Sequence, residues 1–504
     1  MEERILGTEC EYGLVHQRLS LPSRAKKGSG GARGGTLREN LERMSSLLVC
    51  ALASAGLPAA GEFLGNGGRF YIDRGSHPEY ATPECRSVKA LVAHEKAGDR
   101  LVRRLVEGAR LLMAQKNIPG RLHGFKNNLD PHGNTYGSHE NYLVTPLAMR
   151  EIGRIIPFLL TRQIFAGAGK LLGPATPGVE PPDCFPYAIS QRADFFENVF
   201  SDRTRETRGI INTRKREIAY GGQNVRLHVI LGDSNLSEYA IQLKVGVTSL
   251  VLRILEEDCL EEIPLYSKPV EALKAISRSP WGGCRVDGRA GRYTALDIQA
   301  MYLEKAQRFF ALHGSAEEKA VLDLWESTLV GLSTLRISPR TGVIEEDPGR
   351  LGSKLDWVIK LWLLNRARET NGLSWTDPNL RHLDFRYHDL DPETGLFDAC
   401  QSLRIVDRVV DEEKICLALT EPPEDTRAWM RGKIIREASG RNVDVIVENW
   451  ESIKIVARGQ GPGAHPFERQ KRLVNSLKAD LKDPFEARDS ALLASVARFI
   501  EQCD

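Results

Sequence analysis

An alternation of polar and apolar side chains constrains this chain more than any other feature of its sequence. In the segment GGRFYIDRGSHPEYATPE, residues 67–84, the polar residues Arg69, Tyr71 and Asp73 are separated by single apolar residues. Side chains two positions apart lie on the same face of a β-strand, so this spacing predicts a strand with one polar and one apolar face. A strand that only covers a core would not place a cation, a phenol and a carboxylate together. The polar face therefore predicts a binding or catalytic surface on a sheet.

The same segment continues into a turn that carries further polar groups. Sites often form where rigid strands end, which favours a functional role over a salt-bridged strand end before a proline turn. Arg69 is a candidate phosphate contact and Glu79 a candidate metal ligand. Thr82 and Glu84 are candidate nucleotide contacts. Asp73 is a candidate general base toward an amine or water.

The first predicted strand, residues 4–15, carries two carboxylates, at Glu9 and Glu11. Apolar residues flank them on both sides, which indicates an inner strand, although two solvated carboxylates remain the alternative interpretation. A buried carboxylate must be paired, hydrogen-bonded or bound to a metal. Oxygen ligands of this kind suit Mg²⁺, which commonly bridges protein carboxylates and nucleotide phosphates.

Three other segments carry polar residues of interest. Arg226 and His228 share one face of the strand predicted by RLHV, and Arg214 is placed to neutralise a phosphate. SHENY at 138–142, with KNN at 126–128 on the paired strand, forms a second polar patch whose role, functional or structural, is open. GAGKLL lacks the serine or threonine of a Walker A motif, and GSGGARGG does not match G-x-G-x-x-G. A nucleotide would therefore be held by carboxylate-bound Mg²⁺ and arginines on a sheet.

The composition excludes several classes of protein. The 504 residues carry a formal net charge of only +2, which gives no bulk attraction to nucleic acid or membranes. The sequence has no run of about 18 apolar residues that would predict a transmembrane helix, and its acidic N-terminus has no apolar signal region. Nine scattered cysteines without a C-x-x-C pair indicate reduced thiols. We therefore expect a cytoplasmic protein without nucleic-acid or membrane partners.

Periodicity along the chain predicts strands and helices without regular β-α-β spacing, which favours an α+β fold. The predicted elements are helices over 36–55, 88–116, 147–171 and most of 295–370, a strand–turn–strand over 125–144, and a strand, turn and helix over 226–257. The last of these helices has Asp233, Ser234 and Asn235 as candidate N-caps. The basic, glycine-rich segment at 18–35 predicts a flexible loop.

Taken in order, longer motifs resemble those of one known family. The motifs are GTECEYG, GGRFYIDRGSHPEYATPE, FKNN followed by GNTYGSHENYL, PFLLTRQ, SQRADF, INTR, RLHVILGDSN, LDW and TRAWMRG. They resemble the bacterial Pup ligase and Pup deamidase–depupylase family over nearly the whole chain, from Arg4 to about Trp450. The resemblance implies a glutamine synthetase-like α+β fold: a curved, largely antiparallel sheet backed by helices. We expect a catalytic domain over residues 1–425 and a small C-terminal domain over 426–504.

The resemblance also implies ATP and Mg²⁺ as cofactors on the concave face of the sheet. The resemblance implies Glu9, Tyr71 and Glu79 as metal ligands. The strand patterns add Glu11 and His228 as two further candidates. The resemblance implies Arg69, Thr82 and Trp450 as nucleotide contacts. Arg214 and Arg226 are two further candidates. Asp73 would be the base that accepts a proton from an attacking lysine.

The implied reaction joins Pup, a small disordered protein modifier, to lysine-bearing substrate proteins. The γ-carboxylate of the C-terminal glutamate of Pup is phosphorylated by ATP, and a lysine amine attacks the acyl phosphate to form an isopeptide bond. Phosphorylation creates a good leaving group, and the aspartate makes the ammonium nucleophilic. A modifier that folds on binding predicts a long, partly apolar groove.

Three other functions remain open from the sequence. A depupylase or Pup-glutamine deamidase would hydrolyse the isopeptide or amide bond on the same scaffold. A binding protein without turnover would hold Pup in an apolar groove, although Glu9, Asp73 and Glu79 argue against it. A small-molecule amine ligase would keep the chemistry and change the substrate. The Pup ligase is favoured, because GSHPEYATPEC, GDSN and YHDLDPETGLF look more like that branch.

Overall fold

The computed structural model of the chain describes most of its residues. The described ranges are 4–17, 37–73, 75–130, 133–173, 185–203, 207–213, 218–219, 224–260, 263, 267–280, 282–288, 291–458 and 476–504. The predicted flexible loop at 18–35 and the candidate phosphate ligand Arg214 lie outside the described residues.

The described strands are mostly short, and β1, β5, β6, β8 and β14 carry the candidate site residues that lie on strands. In chain order they are β1 Leu6–Glu11, β2 Gly13–Gln17, β3 Ala59–Ala60, β4 Phe63–Leu64, β5 Arg69–Asp73, β6 His77–Ala81, β7 Arg121–Phe125, β8 Ser138–Val144, β9 Lys170–Leu171, β10 Tyr187–Ala188, β11 Asn198–Ser201, β12 Gly209–Asn212, β13 Ile218–Ala219, β14 Asn224–Val229, β15 Val286–Gly288, β16 Gly291–Tyr293, β17 Arg336–Ile337, β18 Ile344–Glu346, β19 Val443–Asn449, β20 Ser452–Ala457 and β21 Ser476–Asp480.

Helices account for much of the remaining described chain. The α-helices are α1 Leu37–Ser54, α2 Val88–Gln115, α3 Pro146–Arg150, α4 Ile156–Thr161, α5 Gln163–Ala166, α6 Glu238–Glu256, α7 Pro269–Ser277, α8 Ala295–His313, α9 Ala316–Thr334, α10 Asp356–Asn371, α11 Pro378–Arg386, α12 Leu396–Ser402, α13 Glu412–Thr420, α14 Arg427–Ala438 and α15 Ser490–Cys503. Short 3₁₀ helices are Ile152–Ile155, Ala193–Phe195 and Leu351–Ser353. Among these described helices, none combines the length and hydropathy that crossing a membrane requires.

The chain divides into two compact units, the first made of residues 1–13, 87–92 and 123–411. Its main strands follow the order β11-β12-β14-β8-β1, and all of these neighbours are antiparallel except β11 and β12. Helix α6 is buried over nearly its whole length and packs against β8 and α9. Burial alternates along β1 and β8, so one face of each strand is covered and the other is left to carry polar groups.

The second unit is made of residues 14–86, 93–122 and 412–504. Strands β3 to β6 follow one another as antiparallel neighbours. Its C-terminal part is a three-stranded antiparallel sheet, β19-β20-β21, against which α14 and α15 pack. Apolar side chains of both helices and all three strands form one core there, including Met430, Ile455 and Val496.

Several sequence predictions of secondary structure are confirmed. The helix predicted at 88–116 is α2, and the helix predicted at 36–55 is α1. The polar–apolar alternation at residues 69–73 is β5, in which Phe70 is buried. The helical periodicity over 295–370 is accounted for by α8, α9 and α10, with two short strands between the last two.

Other predictions of secondary structure are wrong for local reasons. The single strand expected at 4–15 is two strands, β1 and β2, separated at Tyr12. The helix expected at 147–171 is broken into short pieces, because Pro157 lacks an N–H and is accommodated only in the first turn of α4. The KNN tripeptide at 126–128 follows β7 rather than lying on it, and its three side chains are buried.

The N-cap predicted before α6 is also wrong. The cap is Ser237, whose hydroxyl accepts a hydrogen bond from the Ala240 N–H at 3.3 Å. The carboxylate of Asp233 accepts instead from the backbone N–H groups of Ala168 and Gln191, each at 2.9 Å. The sequence suggested Asp233 as a cap because its remote partners, the Ala168 and Gln191 amides, cannot be recognised from local sequence.

Candidate active site

In the first unit, the register of three strands gathers the polar residues that the sequence places far apart. Glu9 on β1 lies opposite His139 on β8, and Asn141 on β8 lies opposite His228 on β14. Because side chains alternate along each strand, Arg226 shares the face of His228. The strand pairing therefore brings these five side chains onto one polar face.

The Glu9 carboxylate is the centre of this group. It accepts hydrogen bonds from Arg226 Nη2 at 2.9 Å and from Asn141 Nδ2 at 3.2 Å, and it lies 3.3 Å from His139 Nδ1. His228 Nε2 is 3.8 Å from the same carboxylate. The Asn141 amide also accepts from Arg226 Nε at 2.8 Å, so the arginine is held by two partners. The prediction that Glu9 is a paired carboxylate on an inner strand is thus confirmed.

Electrostatics keep Glu9 ionised at neutral pH. Burial raises the pKa of Glu9, but the Arg226 charge and the hydrogen bond with His139 outweigh it and hold this pKa well below the usual value. Burial lowers the pKa of His139, more than its hydrogen bond with Glu9 raises it. The Glu9 anion therefore lies between the Arg226 guanidinium and a neutral His139 imidazole at physiological pH. One ligand atom from each of Glu9, His139 and His228 lies within 4.8 Å of the others, which is close enough to share a cation.

Glu11, the second carboxylate of β1, lies on the same face as Glu9 and is half-buried. Its Oε1 lies so close to Gly137 that a Cβ there would come within 2.6 Å of it. Glu140, between His139 and Asn141, points to the opposite face and is buried in an ion pair with Arg162. The SHENY motif therefore has one site face and one structural face, and sequence reasoning failed to assign His139 and Asn141 to the first.

In the second unit, the β5–β6 hairpin organises the segment with the alternating pattern. Tyr71 lies opposite Glu79, and Asp73 lies opposite His77. Glu79 is buried, whereas Tyr71 and Asp73 are half-buried. The carboxylates of Asp73 and Glu79, diagonal neighbours on one face, approach within 4.8 Å. The hairpin therefore presents a phenol and two carboxylates together, as the alternation predicts.

Arg69, at the start of β5, is held by side chains of β4, of β5 itself and of the residue before β4. Its Nε donates to Glu62 Oε2 at 2.9 Å, and its Nη2 contacts the same oxygen. The guanidinium carbon lies 4.3 Å from the centre of the Tyr71 ring and 5.5 Å from that of Phe63. Trp450 packs edge-on against Phe63, with ring centres 5.1 Å apart. Two predicted nucleotide contacts, Arg69 and Trp450, are thus brought to the same aromatic ring.

The other two polar residues of this segment lie beyond β6. Thr82 directly follows β6 and is buried. Glu84 binds Arg427 and Arg431 through its carboxylate. The interpretation of Glu84 as a nucleotide contact is not supported by this geometry, because both carboxylate oxygens are occupied by arginines. Sequence reasoning missed Arg431, since nothing local marks a partner more than 300 residues away.

Comparisons with known proteins agree over nearly the whole length. A family model described as Pup-ligase protein matches residues 4–454. A Pup–protein ligase from Acidimicrobium ferrooxidans is 37% identical over 491 residues, which cover 95% of this chain and 99% of the relative. The chain belongs to the Pup-ligase family.

Two solved structures of the Pup-ligase family superpose on the chain. One is the complex of Pup with its ligase PafA, with a TM-score of 0.81, 32% identity, and coverage of 99% of this chain and 93% of that chain. The other is PafA in complex with ADP, with a TM-score of 0.76, 33% identity, and coverage of 96% and 99%. The predicted family and the predicted α+β fold class are both confirmed.

Proposed function

We propose that this chain uses ATP and Mg²⁺ to ligate the C-terminal glutamate of Pup to lysine side chains of substrate proteins. The observation that carries the proposal is the match to Pup–protein ligases over 95% of the chain. The PafA structures with Pup and with ADP match over nearly the whole chain, which supports Pup as partner and a nucleotide as cofactor. Eight described cysteines are free thiols, which is compatible with the cytoplasm as its location.

The donor set suits a magnesium–nucleotide complex. Mg²⁺ is bound by one or two carboxylates together with substrate phosphates and water. Glu9, which is ionised at neutral pH, offers a carboxylate in the first unit, and Glu79 with Tyr71 offers oxygen donors in the second. Bound Mg²⁺ would neutralise charge on the transferred phosphoryl group. Glu11 and His228 remain secondary candidates for the same role.

The chain's own residues would act in two stages. In the first, Arg226 and Arg69 would bind phosphate oxygens while the γ-carboxylate of Pup takes the terminal phosphoryl group and ADP leaves. In the second, Asp73 would accept a proton from the substrate ammonium, so that the free amine attacks the acyl carbon and phosphate leaves. Lysine has a pKa near 10.4, so an unassisted ammonium is almost never nucleophilic at neutral pH. Asp73 suits this role because it is half-buried at a hairpin end, within reach of solvent.

A conjugation assay tests the proposal. The full chain is incubated with Pup ending in glutamate, ATP, Mg²⁺ and a lysine-bearing protein, and we expect a conjugate heavier by one Pup. Asp73→Asn should lower its rate by about 10²–10⁴-fold, the usual contribution of a general base. Glu42→Gln, which changes an exposed carboxylate of the same unit, is the matched control and should retain the rate. Release of Pup from a preformed conjugate, without ligation, would instead establish the depupylase. Full activity of Asp73→Asn would remove this residue from the mechanism.

A further inference from the structure

One buried guanidinium in the second unit touches three separate segments of the chain. Arg431 lies on α14 and its side chain is fully buried. Its Nη2 and Nε donate to the carbonyl oxygen of Gly67 at 2.8 and 3.2 Å. Its Nη1 donates to the carbonyl oxygen of Trp450 at 2.9 Å, and the group also binds the Glu84 carboxylate.

Each of these three contacts lies at or near a residue that the family resemblance implies as an ATP contact. Gly67 is two residues before Arg69, Glu84 is two residues after Thr82, and Trp450 is itself a predicted contact. The three segments are the β4–β5 turn, the exit of β6 and the β19–β20 turn. The third segment lies far along the chain from the first two, and Arg431 is a partner that all three share.

The Arg431 guanidinium also contacts the aromatic side chains of this region. Its central carbon lies 4.7 Å from the centre of the Trp450 ring and 5.6 Å from that of Phe63. A planar guanidinium can stack on a ring and donate several hydrogen bonds in its plane at once, whereas an ammonium cannot. The orientation of the Trp450 ring therefore depends on the shape of this group as well as on its charge.

One buried carboxylate, that of Glu84, pairs with two arginines in this cluster. Burial raises the pKa of Glu84, but Arg431 and Arg427 lower it by more, so that the pKa is about 2. Arg427 Nε donates to Glu84 at 2.8 Å, and its Nη1 donates to the carbonyl oxygens of Leu481 and Lys482. Glu84 therefore stays ionised at neutral pH and fixes both arginines.

Close backbone packing leaves the cluster little freedom. Gly67 has a φ of +79°, and a Cβ there would meet the Ala428 carbonyl oxygen at 2.8 Å. A Cβ on Gly432 would meet the Gly65 carbonyl oxygen at 2.4 Å. Helix α14 and the turn that precedes Arg69 thus touch through their backbones, so a shift of one moves the other.

We infer that Arg431 is a positioning residue for the nucleotide, which sets the relative placement of Arg69, Thr82 and Trp450 without touching the nucleotide itself. This inference rests on the proposed function and on the three ATP contacts that the family resemblance implies. Its physical basis is that one rigid, fully buried group holds the backbone or the neighbour of each of them. Loss of the fork geometry should therefore weaken nucleotide binding even when charge is retained.

The test compares Arg431→Lys with wild type in the full chain. The matched control is Arg436→Lys, on the same helix, whose partner Glu421 is exposed. Kd for ADP is measured by calorimetry with Mg²⁺ present, and KM for ATP and kcat by Pup conjugation. We expect Arg431→Lys to raise Kd and KM about tenfold or more, the size of one lost charged hydrogen bond, with kcat at saturating ATP largely retained. Arg436→Lys should leave all three unchanged.

A double-mutant cycle with Trp450→Ala shows whether Arg431 acts through the tryptophan. The effect of Arg431→Lys on Kd should be smaller in the Trp450→Ala background, because the tryptophan that Arg431 orients is already absent. An unchanged Kd in Arg431→Lys, or effects that simply add, would overturn the inference. So would failure of Arg431→Lys to fold, since the residue would then serve the fold alone. If wild type binds no ADP, the proposed function itself is wrong.

Discussion

Replacement of Arg162 by methionine should strongly destabilise the first unit. The Arg162 guanidinium donates to both Glu140 oxygens, at 2.7 and 2.6 Å, and to Thr248 Oγ1 at 2.6 Å. The Arg162 and Glu140 side chains are only 3% and 1% exposed. The Tyr142 hydroxyl gives Glu140 one more hydrogen bond, at 2.6 Å. Methionine approximates the volume of the arginine stem but leaves the Glu140 carboxylate charged, buried and without two of its hydrogen bonds.

The expected cost follows from this burial. Removing one partner of a buried, hydrogen-bonded ion pair costs about 3–5 kcal/mol, because the other charge stays desolvated. An exposed pair contributes at most about 1 kcal/mol. Arg154 and Asp258 form such a pair, with side chains 39% and 78% exposed, so Arg154→Met is the matched control. The double variant Arg162→Met/Glu140→Gln should recover part of the loss, since no buried charge is then unpaired.

Urea titration followed by tryptophan fluorescence measures the free energy of unfolding. Hydrogen exchange of β8 localises the effect, because the chain has two units that need not unfold together. We expect Arg162→Met to lose about 3–5 kcal/mol and to exchange faster at β8, while Arg154→Met loses less than about 1 kcal/mol. A loss below about 1 kcal/mol in Arg162→Met would show that the unpaired Glu140 charge is not strongly destabilising. A double variant less stable than Arg162→Met would lead to the same conclusion.

Two further predictions concern the second unit. Burial lowers the pKa of His94 from 6.5 to about 3, so its contribution to stability is complete above pH 6.5 and is lost as the pH falls toward 3. Between pH 7.5 and 5.0, wild type should lose about 2 kcal/mol more unfolding free energy than His94→Gln, as measured by denaturant titration at each pH. Gly432→Ala should destabilise by about 1–3 kcal/mol, because its Cβ would overlap the Gly65 carbonyl oxygen, although alanine is normally the better helix residue.

Controls for these two predictions come from the same chain. Parallel pH profiles for wild type and His94→Gln would show that His94 is not the group responsible. Gly153→Ala places its Cβ in open space and should leave stability nearly unchanged. A Gly432→Ala variant with raised thermal stability would mean that α14 does not press against this turn.

Much of the candidate site could be predicted from local pattern. The two-residue period at Arg69, Tyr71 and Asp73 and the apolar flanks of Glu9 both indicated strands with one polar face, and β5 and β1 have that form. This works because alternation of side chains is a property of the extended backbone itself. The motifs extended the prediction to the family and the α+β fold, which the comparisons confirm. The individual roles of the site residues, and the domain boundary at 425/426, stay predictions.

The linear order of residues was thus enough to assign strand faces and the family of the chain. The partners of the charged groups became known from the folded chain alone: Glu84 with Arg427 and Arg431, Glu140 with Arg162, and Glu9 with Arg226. The physical reason is distance along the chain. A strand period depends on adjacent residues, whereas the burial and pairing of a charge depend on which remote segment packs against it.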